Sequence, residues 1–269
     1  MKCAKCSHKL EPGKMRCPYC NAWNMVGENE NNACTLDEVV ASDVDRIQTG
    51  PWDDAFGGGI VRDSSIFLSG EPGAGKSTCL LQLAKALGYK GGASHYGRVL
   101  YIAREESAGA IKARATRFGY SDAELAHIVV VTRFKGRISG LLKEQKPLLT
   151  ILDSLQSLVG LGPGHLDDAV EVLDDLKEYA IETKSPAVVV SQVNKELDFA
   201  SEMALQHLVD ATFMFTVEKK TNYRVLCAVK NRHGGILPVR FVMTEKGLVV
   251  PEEPTSEVSV DSTEFDKKD

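Results

Sequence analysis

The run Gly70-Glu71-Pro72-Gly73-Ala74-Gly75-Lys76-Ser77-Thr78 sets glycines, a lysine and two hydroxyls at the spacing that polyphosphate binding uses. Glycines let the backbone wrap close to the phosphates, whose charge then sits against free N–H groups and the positive end of a helix dipole. Lys76 is placed to reach the β- and γ-phosphates, and Ser77 to supply an oxygen to Mg²⁺. The flanks agree with this chemistry. Ile66, Phe67 and Leu68 ahead of the run have strand character, and Leu80, Leu81, Leu83, Ala84 and Leu87 behind it follow a helical period.

Carboxylates complete the set. Asp153 closes the apolar run Leu148–Leu152, and an acid at the carboxyl end of a buried strand can approach the metal and its waters. Glu105 and Glu106 follow Arg104 and the apolar VLYIA. Of two adjacent residues in extended chain only one points at the nucleotide. That one is placed to orient and activate water, and the other suits a helix N-terminus, the reading preferred for Glu106.

A second kind of chemistry lies at the start of the chain. Cys3-Ala-Lys-Cys6 and Cys17-Pro-Tyr-Cys20, ten residues apart, can bring four thiolates into the tetrahedron of a structural Zn²⁺ site. Such a metal would hold together a segment too small for its own core. The alternative is two redox-active pairs, which usually sit beside a strand–helix unit that this segment lacks. Cys34, Cys79 and Cys227 have no paired spacing and read as isolated thiols.

These groups need a scaffold that gathers strand ends. Arg98–Ala103 reads as a buried strand, Ser107–Phe118 as a helix, and His127–Thr132 and Leu148–Leu152 as further strands. Leu166–Ala180 is an amphipathic helix with Leu166, Val170, Leu173, Leu176 and Ala180 on one face. Ala187–Val190 begins another strand that ends at Ser191 and Gln192, and from Ala211 to Val250 strand-and-turn patterns take over. The expectation is an α/β fold with a mainly parallel central sheet and a β-rich edge.

Composition sets the bounds. The chain has 269 residues, 43% hydrophobic and 26% charged, as a soluble globular protein of one or two domains does. No apolar run approaches the roughly 18 residues of a membrane span, and MKCAKCSHKL has no signal-peptide core. A cytoplasmic protein without membrane contact is expected, its cysteines ligands or free thiols rather than disulfides. The net charge of −5 resides in residues 251–269, where seven acids face two lysines. The remainder is formally neutral, so nucleic acid is not excluded as a partner.

In the order and spacing of these blocks the chain resembles the bacterial RadA (Sms) DNA-repair ATPases, relatives of RecA. The resemblance covers about residues 1 to 250: the four-cysteine finger, FGGGIV at Phe56–Val61, the phosphate loop, VLYIAREES followed by IKARATRFG, LDSLQSL, and AVKNRHG followed by FVMTEKGL. It implies a RecA-like P-loop ATPase core preceded by a zinc-ribbon finger, with ATP at the subunit interfaces of a homo-hexameric ring around DNA. Glu105 matches the family's catalytic glutamate, Lys76 and Ser77 its nucleotide and metal positions, and Asp153 its second metal-site acid. Gln192 falls where RecA-like proteins place a γ-phosphate sensor leading into a DNA-facing loop, here through Asn194 and Lys195 to about Gln206. On the residues alone it is equally a glutamine that satisfies a turn.

Lys230-Asn231-Arg232-His233-Gly234 matches the family's KNRFG signature with His233 in place of Phe. Lys230 or Arg232, reaching across an interface, would stabilise the charge that builds on the transferring phosphoryl group. The block also suits DNA phosphates or an ordinary solvated turn. Two positions depart from the family: Arg104 stands where glycine is usual, and an acidic tail follows Val250 in place of a domain similar to the Lon protease fold.

The expected layout is a finger at 1–25, a linker at 26–45, the ATPase domain at 46–250 and a disordered acidic tail at 251–269. The expected activity is ATP hydrolysis by a ring that translocates on single-stranded or branched DNA and promotes branch migration in recombinational repair, with ATP, Mg²⁺ and Zn²⁺ as cofactors. Its alternatives are an ATP-switched mediator that recruits a recombinase or helicase with little turnover, and a replicative-type ring helicase. Because the tail's charge mimics phosphate, deleting residues 251–269 should raise DNA affinity at low salt. Unchanged binding of labelled single-stranded DNA would count against that competition.

Overall fold

The computed structural model describes residues 8, 9, 19, 44–88, 97–160, 165–191, 199–235 and 237–251. The chain divides into two units, Met1–Asp43 and Val44–Asp269. In the first, the rings of His8 and Tyr19 stack at 5.4 Å. Cys3, Cys6, Cys17, Cys20, the linker at 26–43, Gln192 and the tail from 252 lie outside the described residues.

In the second unit the strands are β1 (Arg46–Ile47), β2 (Ile60–Val61), β3 (Ser65–Gly70), β4 (Val99–Ala103), β5 (Ile128–Val131), β6 (Leu149–Asp153), β7 (Ala187–Val190), β8 (Ala211–Val217), β9 (Arg224–Asn231), β10 (Val239–Thr244) and β11 (Gly247–Val249). The helices are α1 (Lys76–Gly88), α2 (Ala108–Arg117), α3 (Asp122–Leu125), α4 (Ile138–Gln145), α5 (Leu155–Val159), α6 (Leu166–Thr183) and α7 (Phe199–Leu208). Nine strands form one sheet in the order β11-β10-β9-β8-β3-β7-β6-β4-β5. From β8 to β5 all neighbours are parallel. β9, β10 and β11 continue the sheet antiparallel.

The central strands are buried on both faces, as parallel strands covered by helices must be. Ile66 and Leu68 of β3 join one core with α1 and α2, whereas Phe67 joins the other with α4, α5 and α6. The same alternation runs through Tyr101 and Ile102 of β4 and through Val188 and Val189 of β7. Ser107 caps α2 by accepting from the Ala110 amide at 3.2 Å, a device worth about 1 kcal/mol.

The antiparallel edge is covered by a segment that its sequence marks only as a Gly-Pro turn and a glycine run. Trp52 stacks on Phe241 at 4.3 Å, and Phe56 meets Phe213 edge-on at 4.9 Å. Asp53 closes the turn by accepting from the Thr49 amide and hydroxyl at 2.5 and 2.8 Å, while its carbonyl accepts from the Gly58 amide at 2.7 Å.

A loop was expected to run to about Gln206, but Phe199–Leu208 forms α7. Its sequence, FASEMALQHL, is rich in helix formers, and Lys177 and Lys230 donate to the carbonyls at its end.

Trp52 is 1% exposed. Truncating a buried aromatic of this size costs about 3–5 kcal/mol, so Trp52→Ala should lower the denaturation midpoint accordingly, measured by circular dichroism in urea.

Candidate active site

The phosphate loop leaves the sheet at Gly70, where a Cβ would lie 2.3 Å from the Phe215 carbonyl oxygen. No side chain fits at that point. α1 then opens at Lys76, presenting the unpaired amides of its first turn along the loop. Lys76 folds back over the loop, its Nζ donating to the Gly70 and Glu71 carbonyls at 2.6 and 2.9 Å. Burial lowers its pKa, and the negative charges of Asp153, Glu105 and Glu71 act against that.

β6 carries Asp153 to the same end of the sheet. Its carboxylate accepts from the Ser77 hydroxyl and from the Tyr101 hydroxyl at 3.0 Å. Burial raises its pKa most, the two hydroxyls pull it down, and Glu105 and Glu106 repel it upward. Among the described residues no group of three or more His, Cys, Asp or Glu side chains suits a metal ion. Ser77 and Asp153 are the side chains that would face a Mg²⁺ ion arriving with a nucleotide, an ion that usually keeps several waters and binds through one or two protein groups plus phosphate oxygens.

β4 delivers the acids that follow it. The Ser154 hydroxyl donates to Glu105 Oε1 at 2.6 Å, and the same hydroxyl caps α5 by accepting from the Ser157 amide at 3.3 Å. Glu106 instead accepts two bonds from Arg114 Nη2, at 2.6 and 2.8 Å. Glu106 immediately precedes Ser107, the capping residue of α2, so it stands at that helix's N-terminal end. Arg104 is exposed. Pro72, Gly73, Gly75, Lys76, Ser77, Thr78, Glu105, Glu106, Arg114 and Asp153 line one cleft of about 370 Å³. Within the loop, Ala74 is buried and Glu71 points its backbone, through the carbonyl, at both Lys76 and the Ala74 amide.

Lys230 and Arg232 lie elsewhere. Gly70 pairs with Phe215 at one end of β8, while Asn231 of β9 pairs with Ala211 at the other. The length of β3, about 16 Å of strand, separates the basic block from the phosphate loop of its own chain. Lys230 Nζ donates to the carbonyls of Gln206, Val209 and His207 at 3.0, 2.6 and 3.4 Å, and Lys177 donates to that of Leu208 at 3.2 Å. Both thus satisfy the C-terminal end of α7. Burial and the neighbouring Arg232 lower the Lys230 pKa. Arg232 pairs with Asp210 at 3.3 Å with its side chain 51% exposed, and the other Asp210 oxygen accepts from the Ser65 amide and hydroxyl at 2.9 and 3.0 Å.

The loop, Glu105 and Asp153 therefore come together in one cleft, whereas the contacts of Tyr101, Ser154, Arg114 and Asp210 have no signal in the sequence. Ser154 sits in the LDSLQSL block and Arg114 in IKARATRFG, so their blocks were visible and their partners were not.

Because burial holds Asp153 above its ordinary pKa, its ionisation works against folding. The unfolded carboxyl ionises first, so this contribution to stability is present below the unfolded pKa and is lost as pH rises through the folded one. Asp153→Asn removes the penalty. At pH 7 without nucleotide the variant should melt at or above the wild-type temperature, and the rise in melting temperature produced by ATP with Mg²⁺ should shrink or vanish in thermal-shift measurements.

A sequence profile described as AAA domain matches residues 30–198. The chain is 33% identical to the DNA repair protein RadA of Aquifex aeolicus strain VF5, covering 94% of this chain and 60% of that protein. For the proteins of the same name from Bacillus subtilis strain 168 and Haemophilus influenzae the identities are 31% and 28%, over 91% and 94% of this chain. The chain spans about three-fifths of the length of these relatives. Among solved structures, a KaiC-like protein from Pyrococcus horikoshii OT3 superimposes with a TM-score of 0.61 at 18% identity, covering 78% of this chain and 100% of that one. The RadB recombinase does so with 0.59 at 21%, covering 75% and 97%. The fold is RecA-like, and the chain belongs to the AAA-domain family, its relatives over more than nine-tenths of its length being proteins named DNA repair protein RadA.

Proposed function

We propose that the chain is a DNA-dependent ATPase that works as an assembly of subunits, each nucleotide held by one subunit's phosphate loop and completed by the Lys230–Gly234 block of a neighbour. The supporting observation is the placement of loop and block at opposite ends of one sheet. A basic group that far from its own loop can act on a bound nucleotide's phosphates only in another copy.

The chemistry follows from the cleft. Mg²⁺ bound with ATP would neutralise charge on the β- and γ-phosphate oxygens, with Ser77 as ligand and Asp153 holding that hydroxyl and the metal's waters. Lys76 exchanges its two loop carbonyls for phosphate oxygens. Glu105, held by Ser154, accepts a proton from the attacking water. Arg232, turned to solvent beside Asp210, stabilises the developing charge from across the interface, an effect worth about 10³ to 10⁵ in rate. Lys230 secures α7 next to it.

The names of the relatives point to DNA repair, and the finer reading is a homo-hexameric ring that moves on single-stranded DNA and drives branch migration. Gln192 then senses the γ-phosphate, and Zn²⁺ on Cys3, Cys6, Cys17 and Cys20 orders a finger. ATP hydrolysis measured with and without single-stranded DNA tests the proposal. Stimulation is expected, and its absence in a preparation that binds ATP would refute it. Lys76→Ala should lose nucleotide binding or turnover. Arg232→Ala should bind nucleotide and turn over about 10³-fold more slowly, and mixing the two inactive variants should restore activity.

A further inference from the structure

The basic block is held in place by a residue far away in sequence. Arg46 of β1 donates from Nη1 to the Gly59 carbonyl at 3.0 Å and from Nη2 to the His233 carbonyl, 187 positions along the chain. One planar guanidinium thus ties the glycine turn at 57–59 to the turn that carries Arg232. The two turns also touch directly. At Gly57, whose φ is +69°, a Cβ would lie 3.0 Å from Gly234 Cα and 3.3 Å from the Asn231 side-chain nitrogen. Asn231 shapes its own turn by accepting from the His233 amide at 3.1 Å and donating to the Gly235 carbonyl at 3.3 Å. Asp210 also fixes the block, accepting from the Arg232 amide through its backbone carbonyl at 3.2 Å and from the guanidinium through its side chain at 3.3 Å.

We infer that Arg46, with the close approach of Gly57 to Gly234, is a positioning residue that sets how far Arg232 projects towards the neighbouring subunit's nucleotide. The inference rests on the shared-site reading above. Arg46 touches no reacting atom, and its side chain bonds backbone carbonyls on both turns. A guanidinium can hold two carbonyls at the fixed angle of its fork, whereas a lysine offers a single point of charge. Displacement of a catalytic group by about 1 Å can cost about 10²-fold in rate, so this brace acts on turnover. It lies at the opposite end of the sheet from its own phosphate loop, so binding of nucleotide by the same subunit is independent of it.

The test compares Arg46→Ala, Arg46→Lys and Gly57→Ala in the full chain. Each should bind a fluorescent ATP analogue as the wild type does. Arg46→Ala and Gly57→Ala should lower kcat about 10- to 100-fold with little change in KM, and Arg46→Lys should recover part of the loss. Mixing Arg46→Ala with Lys76→Ala subunits should raise turnover above that of either alone, because the misplaced block and the disabled loop then fall on different sides of some interfaces. Wild-type kcat in both Arg46→Ala and Gly57→Ala overturns the inference. So does failure of the Arg46→Ala mixture when the Arg232→Ala and Lys76→Ala mixture recovers. If that second mixture also fails, the shared-site reading falls and takes the inference with it. Should Arg46→Ala lose analogue binding through misfolding, Gly57→Ala decides alone.

Discussion

A strand hydrogen-bonded in parallel along both edges cannot slip by one residue without turning its buried side chains to the wrong face, and β3 is such a strand. It is paired with β7 on one side and β8 on the other, and all six of its residues are buried. Gly70 is thereby fixed beside Phe215, too close for any Cβ, and the loop must turn out of the sheet at that point. β6, two strands away, brings Asp153 to the same edge, and β4 brings Ala103 level with it. The cleft follows from register: three strand ends in line, a loop after one and acids after the others.

The same register separates the two halves of the proposed chemistry. Parallel β8 begins where β3 begins, and antiparallel β9 ends there, so Asn231 and its basic neighbours sit beside Asp210 and Ser65. Each end has its own electrostatic arrangement. In the cleft, Glu106 is matched by Arg114, while Glu105 accepts from the Ser154 hydroxyl and Asp153 from that of Tyr101. Glu105 repels Asp153, and both attract Lys76. Such a site gains from a cation bridging to phosphate. At the other end, Asp210 spends one oxygen on β3 and one on Arg232, leaving half of the Arg232 side chain to solvent.

The parts of this arrangement legible in the sequence are those encoded over short distances. Alternation through VLYIA and LLTIL, the glycine spacing of the loop and the period of Leu166–Ala180 each depend on a dozen residues or so, and each gave the element found. α3, α4 and α5 are too short to show a period. The long-range contacts left weaker traces. FGGGIV and AVKNRHG were recognisable as separate blocks, but nothing in either says that Gly57 lies against Gly234 or that Arg46 bonds both turns. Ser154 likewise reads as the residue after a strand-end acid, and its bond to Glu105 depends on β4 and β6 being neighbours.

Lys230 shows why residue type and spacing alone misplace emphasis. Read as a strand-end cation in a basic turn, it is a natural phosphate ligand. In the fold, its ammonium answers the need of α7, whose last carbonyls would otherwise lack donors. Three backbone oxygens accept from it and a fourth accepts from Lys177. On the shared-site proposal, a lysine with its protons so committed would have to give up a helix end to reach another subunit, whereas the Arg232 side chain, paired with Asp210, stays about half exposed. The neighbouring cations therefore divide the work by what each is already bound to. Lys230 joins the block to α7, Arg46 joins it to the glycine turn, and in the proposed shared site Arg232 is the group that these attachments would aim.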